Sequence, residues 1–167
     1  MKTLLISWLI LNVPFSGHEY EYIKIFNLHK KPIIEATLNG KKAYFLLDTG
    51  SDITMLNKHD GKKYGFKLLL RENESHAAVG IGGKTADFTS THNVLLELGS
   101  TRINTRYLAY DMTTIVQSIA KDTGISISGI IGSDAMKRYG IIIDYKNREV
   151  GILTSKKVRG DNKVALN

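Results

Sequence analysis

Residues 45–51 read Phe45-Leu46-Leu47-Asp48-Thr49-Gly50-Ser51, an apolar run that ends on a carboxylate and then turns at once. The run belongs in a core, and an ion left uncompensated among buried side chains is costly, so Asp48 must find hydrogen bonds or share a proton. It has to stand where a buried strand meets an opening. The same tripeptide returns as Asp122-Thr123-Gly124, but there Ala120-Lys121 precede it and no apolar strand leads in. That second copy reads as a helix stop.

The residues before Asp48 indicate how it is delivered. Pro32 to Leu38 and Ala43 to Leu47 flank Asn39-Gly40, a pair in which both positions tolerate the positive φ of a two-residue hairpin turn. Upstream, Tyr20 to Leu28 sets Tyr22, Lys24 and Asn27 against Ile23, Ile25 and Leu28, which predicts another strand. Asp60-Gly61 and Tyr64-Gly65 punctuate a short helical or loop stretch, and Phe66 to Leu70 follows as a strand. From His76 to Leu98 the pattern predicts two strands joined through the tip Gly80, Ile81, Gly82, Gly83, then a hairpin around Gly99-Ser100.

Asp111 is placed to cap a helix running through Ala120, with Met112, Ile115, Val116 and Ile119 on one face and Gly124 at its left-handed end. Ile127 to Ile131 then reads as a strand, and Gly132-Ser133 opens a second short helix. Finally, Gly140 to Tyr145 pairs with Glu149 to Leu153 across a turn at Lys146-Asn147. The expectation is one mostly β domain with two short helices over residues 18–154, followed by a polar basic tail at 155–167.

Composition narrows the chemistry. The absence of cysteine excludes disulfides, thiolate metal sites, iron–sulfur clusters and a cysteine nucleophile. Histidines at 18, 29, 59, 76 and 92 show no ligand spacing, so neither a metal nor any other cofactor is expected. A net charge of +7 raises the question of nucleic acid, but the lysines fall as scattered pairs (30–31, 41–42, 62–63, 156–157) without interleaved aromatics. A solvated basic surface is the reading, with no nucleic acid partner. Arg159-Gly160-Asp161 in the polar tail is read as chance.

Met1-Lys2, the run Leu4 to Leu11, Pro14 and Ser16-Gly17 fit a signal-peptide core and predict export to a periplasm or medium. Against export, Phe15 is a poor residue three places before a cut after Gly17, and the polar start after Lys2 is minimal. A buried first strand or an uncleaved membrane anchor is the alternative for residues 1–17, and a cytoplasmic or membrane-tethered location would follow from it.

Three elements occur in order: the apolar strand ending in Asp48-Thr49-Gly50-Ser51, the glycine-rich tip at 80–83, and Ile130-Ile131-Gly132 before a helix. Together, from about Pro32 to Leu153, they resemble a retropepsin-like aspartic protease. The resemblance implies an acid-protease half-barrel in which Asp48 is catalytic and Gly80, Ile81, Gly82 and Gly83 form a flap over an extended polypeptide substrate. It implies that Thr49 supplies a hydroxyl that locks two active-site loops together, that Gly50 permits close approach, and that Ile130, Ile131 and Gly132 form the structural element beside the active loop.

Ser51 is a candidate donor to Asp48, which would favour its ionised form and an acidic working range. One suitable aspartate per chain implies a homodimer pairing Asp48 with the partner's Asp48, and the resemblance implies that terminal strands help form the interface, with Tyr20 to Leu28 and Glu149 to Leu153 as the candidates. Asp134 suits the first turn of a helix, and Asp52 and Asp144 read as loop and strand-end charges. Two rivals stand beside this reading. The same fold could be an inactive peptide-binding or dimerisation module, or Ala78 to Thr85 could be a phosphate-binding loop, which requires a helix directly after Thr85.

Overall fold

The computed structural model of the protein describes residues 19–27, 31–69, 76–79 and 85–154, with the backbone alone at 27, 76–79, 85 and 86. The N-terminal segment 1–17, the tip residues Gly80, Ile81, Gly82 and Gly83, and the tail 155–167 lie outside the described residues.

The chain is mostly β, as expected. β1 (Tyr20–Asn27) is followed by the hairpin of β2 (Ile33–Leu38) and β3 (Lys41–Leu47), in which Asn39 and Gly40 take φ of 49° and 75°. Both values are positive, the requirement of a two-residue turn whose twist matches the strands. Leu38 consequently stands opposite Lys41, and the register runs back to Ile33 opposite Leu46.

β4 (Met55–Asn57) follows the Asp48 turn. A 3-10 turn at Lys58–Asp60 and the one-turn helix α1 (Gly61–Tyr64) come next, closed by Gly65 at φ 79° with its amide on the Gly61 carbonyl. That stretch was expected as helix or loop, and it adds a third helical element to the two anticipated. β5 (Lys67–Leu69) precedes β6 (His76–Val79) and β7 (Thr85–His92), which pair antiparallel across the glycine-rich tip. β7 begins at Thr85 itself, so a strand occupies the place where a phosphate-binding loop would open a helix. The phosphate-loop reading is thereby removed.

β8 (Leu96–Leu98) and β9 (Thr101–Ile103) form the hairpin at Gly99-Ser100, and β10 (Leu108–Tyr110) leads to α2 (Thr113–Thr123). Asp111 lies one residue before the N-cap, Met112, which makes no side-chain cap bond, and it accepts from the Thr113 amide at 3.1 Å and its hydroxyl at 2.7 Å. The helix ends at Thr123 rather than Ala120, because Gly124 at φ 74° is the first residue free to adopt the left-handed closure. β11 (Gly129–Ile131), α3 (Ser133–Arg138), β12 (Ile142–Asp144) and β13 (Glu149–Leu153) complete the order.

Hydrogen bonding arranges the principal strands as β12-β13-β1-β2-β3-β11-β4-β10-β7-β5. β3 and β4 are joined by the Asp48 turn yet are not neighbours in the sheet. β11 lies between them, parallel to β3 (Ile130 with Leu46) and antiparallel to β4 (Ile130 with Met55). The turn must therefore bridge two strand spacings, about 9–10 Å.

Two apolar clusters flank this sheet. The larger holds Phe45, Leu47, Ile34, Leu38, Leu56, Ile131 and Ile152 among others; the smaller holds Ile33, Leu46, Met112, Ile119, Ile127 and Ile130 under α2. Each such side chain, once buried, contributes roughly 1.5–3 kcal/mol before entropy is counted. Among the described residues, no helix is long and apolar enough to cross a membrane.

Candidate active site

Asp48 follows the last residue of β3, and its amide donates to the Ile131 carbonyl at 3.1 Å. The parallel ladder with β11 thus extends one residue beyond the strand and holds Asp48 in line with Leu46. Immediately after, the chain turns: the Ser51 amide returns to the Asp48 carbonyl at 3.1 Å, and the Gly50 amide donates to the Asp48 carboxylate at 2.9 Å. A carboxylate held by a backbone amide keeps its orientation without a side-chain partner. A Cβ added at Gly50 would stand 3.3 Å from that same oxygen.

The turn is bolted to the rest of the domain by Gly132 and α3. The Ser133 amide donates to the Ser51 carbonyl at 2.7 Å, and a Cβ on Gly132 would collide with the Ile53 carbonyl group and lie 2.8 Å from the Ser51 oxygen. Gly129 is constrained in the same way, since its Cβ would meet the Met55 carbonyl and the Phe45 ring. Ile131 faces the main core, whereas Ile130 faces the smaller cluster. The Ile130-Ile131-Gly132 element is thus packed directly against the Asp48 turn.

Ser51 behaves differently from expectation. Its hydroxyl donates to the Ile53 carbonyl at 2.8 Å, not to Asp48, so it stabilises the turn. Ile53 lies two residues on, within the reach of a serine-type turn.

A buried network that sequence reasoning missed supports the turn from below. Thr54 is fully buried; its hydroxyl donates to Asp134 at 2.7 Å and accepts from the Gly132 amide at 3.1 Å. The second oxygen of Asp134 accepts from the Thr105 hydroxyl at 2.8 Å. Asp134 does lie in the first turn of α3, as its position implied, but it also joins three segments. A threonine at a strand entrance carries no signal that its partner lies 80 residues away.

Asp48 is half-buried and opens onto a depression of about 230 Å³ that it shares with Thr49, Lys31, Pro32, Ile143 and Tyr145. Thr49 is exposed. Asp122, by contrast, is exposed near the end of α2, and Asp144 holds the β12–β13 turn by accepting from the Asn147 amide and side chain at 2.9 and 2.8 Å. Those hydrogen bonds keep the Asp144 carboxyl below its ordinary range.

A family model described as aspartyl protease matches residues 34–135. Among solved structures, EIAV protease complexed with the inhibitor HBY-793 is 25% identical, with 69% of this chain and 93% of that chain covered at a TM-score of 0.48. A retropepsin-like aspartic protease from Rickettsia conorii is 20% identical, with 81% of this chain and 93% of that chain covered at the same TM-score.

Proposed function

The chain belongs to the aspartyl protease family, and from that premise we propose that it is an aspartic endopeptidase whose active site is completed by a second copy of itself. The observation that carries this is Asp48: a half-buried carboxylate, fixed by the Gly50 amide and open on one side beside an exposed Thr49. Two such carboxylates brought together resist double ionisation and share a proton. The ionised member takes a proton from water as the water oxygen adds to the scissile carbonyl carbon, while the protonated member donates toward the carbonyl oxygen. Breakdown of the tetrahedral adduct then passes a proton to the leaving amine.

The second carboxylate comes from the partner's Asp48. Within the chain Asp134 is engaged by two threonines, and Asp122 lies in the last turn of a helix. Beside the terminal strands, the sheet order offers a further candidate for joining the copies, β12. Among the described residues, β13 lies between β12 and β1, while β1 pairs with β13 over residues 20–24 and with β2 only at Ile25 and Asn27. β12 is the end strand of the order, and Ile143 in it and Tyr145 just after it share the Asp48 depression. Ile142 and Tyr145 are 42% and 59% exposed. A bare apolar strand edge invites pairing with another chain, and pairing at β12 sets both Asp48 turns beside one two-fold axis.

The test is subunit mixing on a peptide library at pH values from acidic to neutral. Adding excess Asp48→Asn protein to wild type converts active pairs into mixed ones, so cleavage falls below that of wild type alone at the same concentration. Cleavage that is indifferent to the added variant sinks the shared site. Absence of cleavage by wild type under every condition favours the inactive binding module.

A further inference from the structure

Leu108 of β10 stands opposite Ser90 of β7, and the Thr91 amide goes on to the Tyr107 carbonyl at 3.3 Å, so the antiparallel register continues and brings Arg106 opposite His92. On the other edge of β7, Lys67 of β5 stands opposite the same His92. Residues opposite one another on neighbouring strands share a face, and the Arg106 guanidinium reaches the Ser90 hydroxyl on that face at 3.5 Å. Lys67, His92 and Arg106 therefore form one basic row across three strands, and all three are exposed.

Such a row works against the sheet. Like charges set directly opposite one another destabilise strand pairing, whereas opposite charges support it. Elsewhere the sheet follows that rule: Lys24 stands opposite Glu149, and Glu97 opposite Arg102. The basic row is the exception, and an anion seated among its members would turn repulsion into attraction.

The row borders an open depression of about 350 Å³, a size that suits a small molecule, between residues 90–94 and residues 104–107. His92 and Arg106 line it, and among the described residues that line it none is acidic. A further cation touches its rim, since Arg138 donates to the Asn104 carbonyl at 2.6 Å. The hydroxyls of Thr91 and Thr105 are turned to the Tyr107 carbonyl and to Asp134, so the cations are the chief recognition groups that the depression offers.

We propose that this depression binds the phosphate group of a small phosphorylated molecule, with Arg106, His92 and Lys67 as its cations. A phosphate carries up to about two negative charges and three strong acceptor oxygens, and a guanidinium presents two parallel N–H groups to it. A carboxylate has less charge and one oxygen fewer for the same row. The bound group also ties β7 to both of its neighbours at the base of the β6–β7 hairpin.

The experiment titrates the full chain at neutral pH with inorganic phosphate, with glycerol phosphate, and with acetate and chloride at matched ionic strength, following heat and melting temperature. Wild type binds both phosphates saturably and melts higher in them, as a ligand of the folded state requires, while acetate and chloride do neither. Arg106→Gln and Lys67→Gln each weaken phosphate binding by about tenfold, the scale of one lost charge-assisted hydrogen bond. Lys121→Gln, at an exposed position on α2, leaves it unchanged. Phosphate affinity that survives both Arg106→Gln and Lys67→Gln, or a response that acetate and chloride reproduce, overturns the site. Binding of inorganic phosphate without glycerol phosphate overturns the organic ligand. No arm depends on catalysis, so the outcome is independent of the endopeptidase reading.

Discussion

At Asp48-Thr49-Gly50 the glycine amide donates to the aspartate's own carboxylate at 2.9 Å; at Asp122-Thr123-Gly124 the glycine amide goes instead to the Ala120 carbonyl at 2.8 Å. One tripeptide thus serves two unlike backbones. In the first, an apolar strand leads in, β11 inserts beside it, and a Cβ on the glycine would stand 3.3 Å from the carboxylate. In the second, a helix leads in, the glycine takes φ 74° with open space around its Cβ position, and the threonine hydroxyl bonds back to Ile119. The difference teaches that the triplet has no conformation of its own: the preceding element decides whether its glycine amide turns back to the carboxylate or closes a helix.

The sharpest way to break this comparison is to neutralise both aspartates in parallel. Asp48→Asn should lower kcat/KM by about 10²–10⁴-fold, the usual scale for a lost acid–base group, and Asp122→Asn should leave it within about twofold. Equal losses in the two proteins, with folding intact by circular dichroism, would restore an intrachain pair.

Next in size is Gly132→Ala, which drives a methyl group into the Ile53 carbonyl beneath the first turn. Overpacking of this kind costs about 3 kcal/mol, read as a shifted urea midpoint, and activity should fall with it. Thr54→Val keeps the shape but removes the donor to Asp134 and the acceptor for the Gly132 amide. The expected loss is about 1–3 kcal/mol; a Thr54→Val protein as stable as wild type would show that the network carries no stability.

Smallest is Gly124→Ala, a strain of about 1 kcal/mol at a left-handed helix end. Thermal melting should detect it while kcat/KM stays unchanged. A catalytic defect there would mean that the second triplet does more than end a helix, or that α2 must be in place for the cleft to work.

Much of the fold could be read because its signals are local. Asn39-Gly40, Gly124 and Asp111 act on backbone within a few residues, and the sequence carries each signal whole. β4 and β10 escaped because three residues are too few to show a period, and each exists only by pairing with strands brought from elsewhere. The direction of the Ser51 hydroxyl escaped for a related reason: a serine has several acceptors in reach, and the folded turn selects Ile53.

The sequence alone determined where an expensive carboxylate would be placed, that it ends a buried strand, and that the matching triplet ends a helix, since all three follow from neighbouring side chains. Only the tertiary structure decided that β11 separates β3 from β4, that Thr54 and Asp134 meet, and that α2 packs on Ile33, Leu46 and Ile130. These are contacts between residues far apart in the chain, chosen by which arrangement buries the most apolar surface and satisfies every polar group at once.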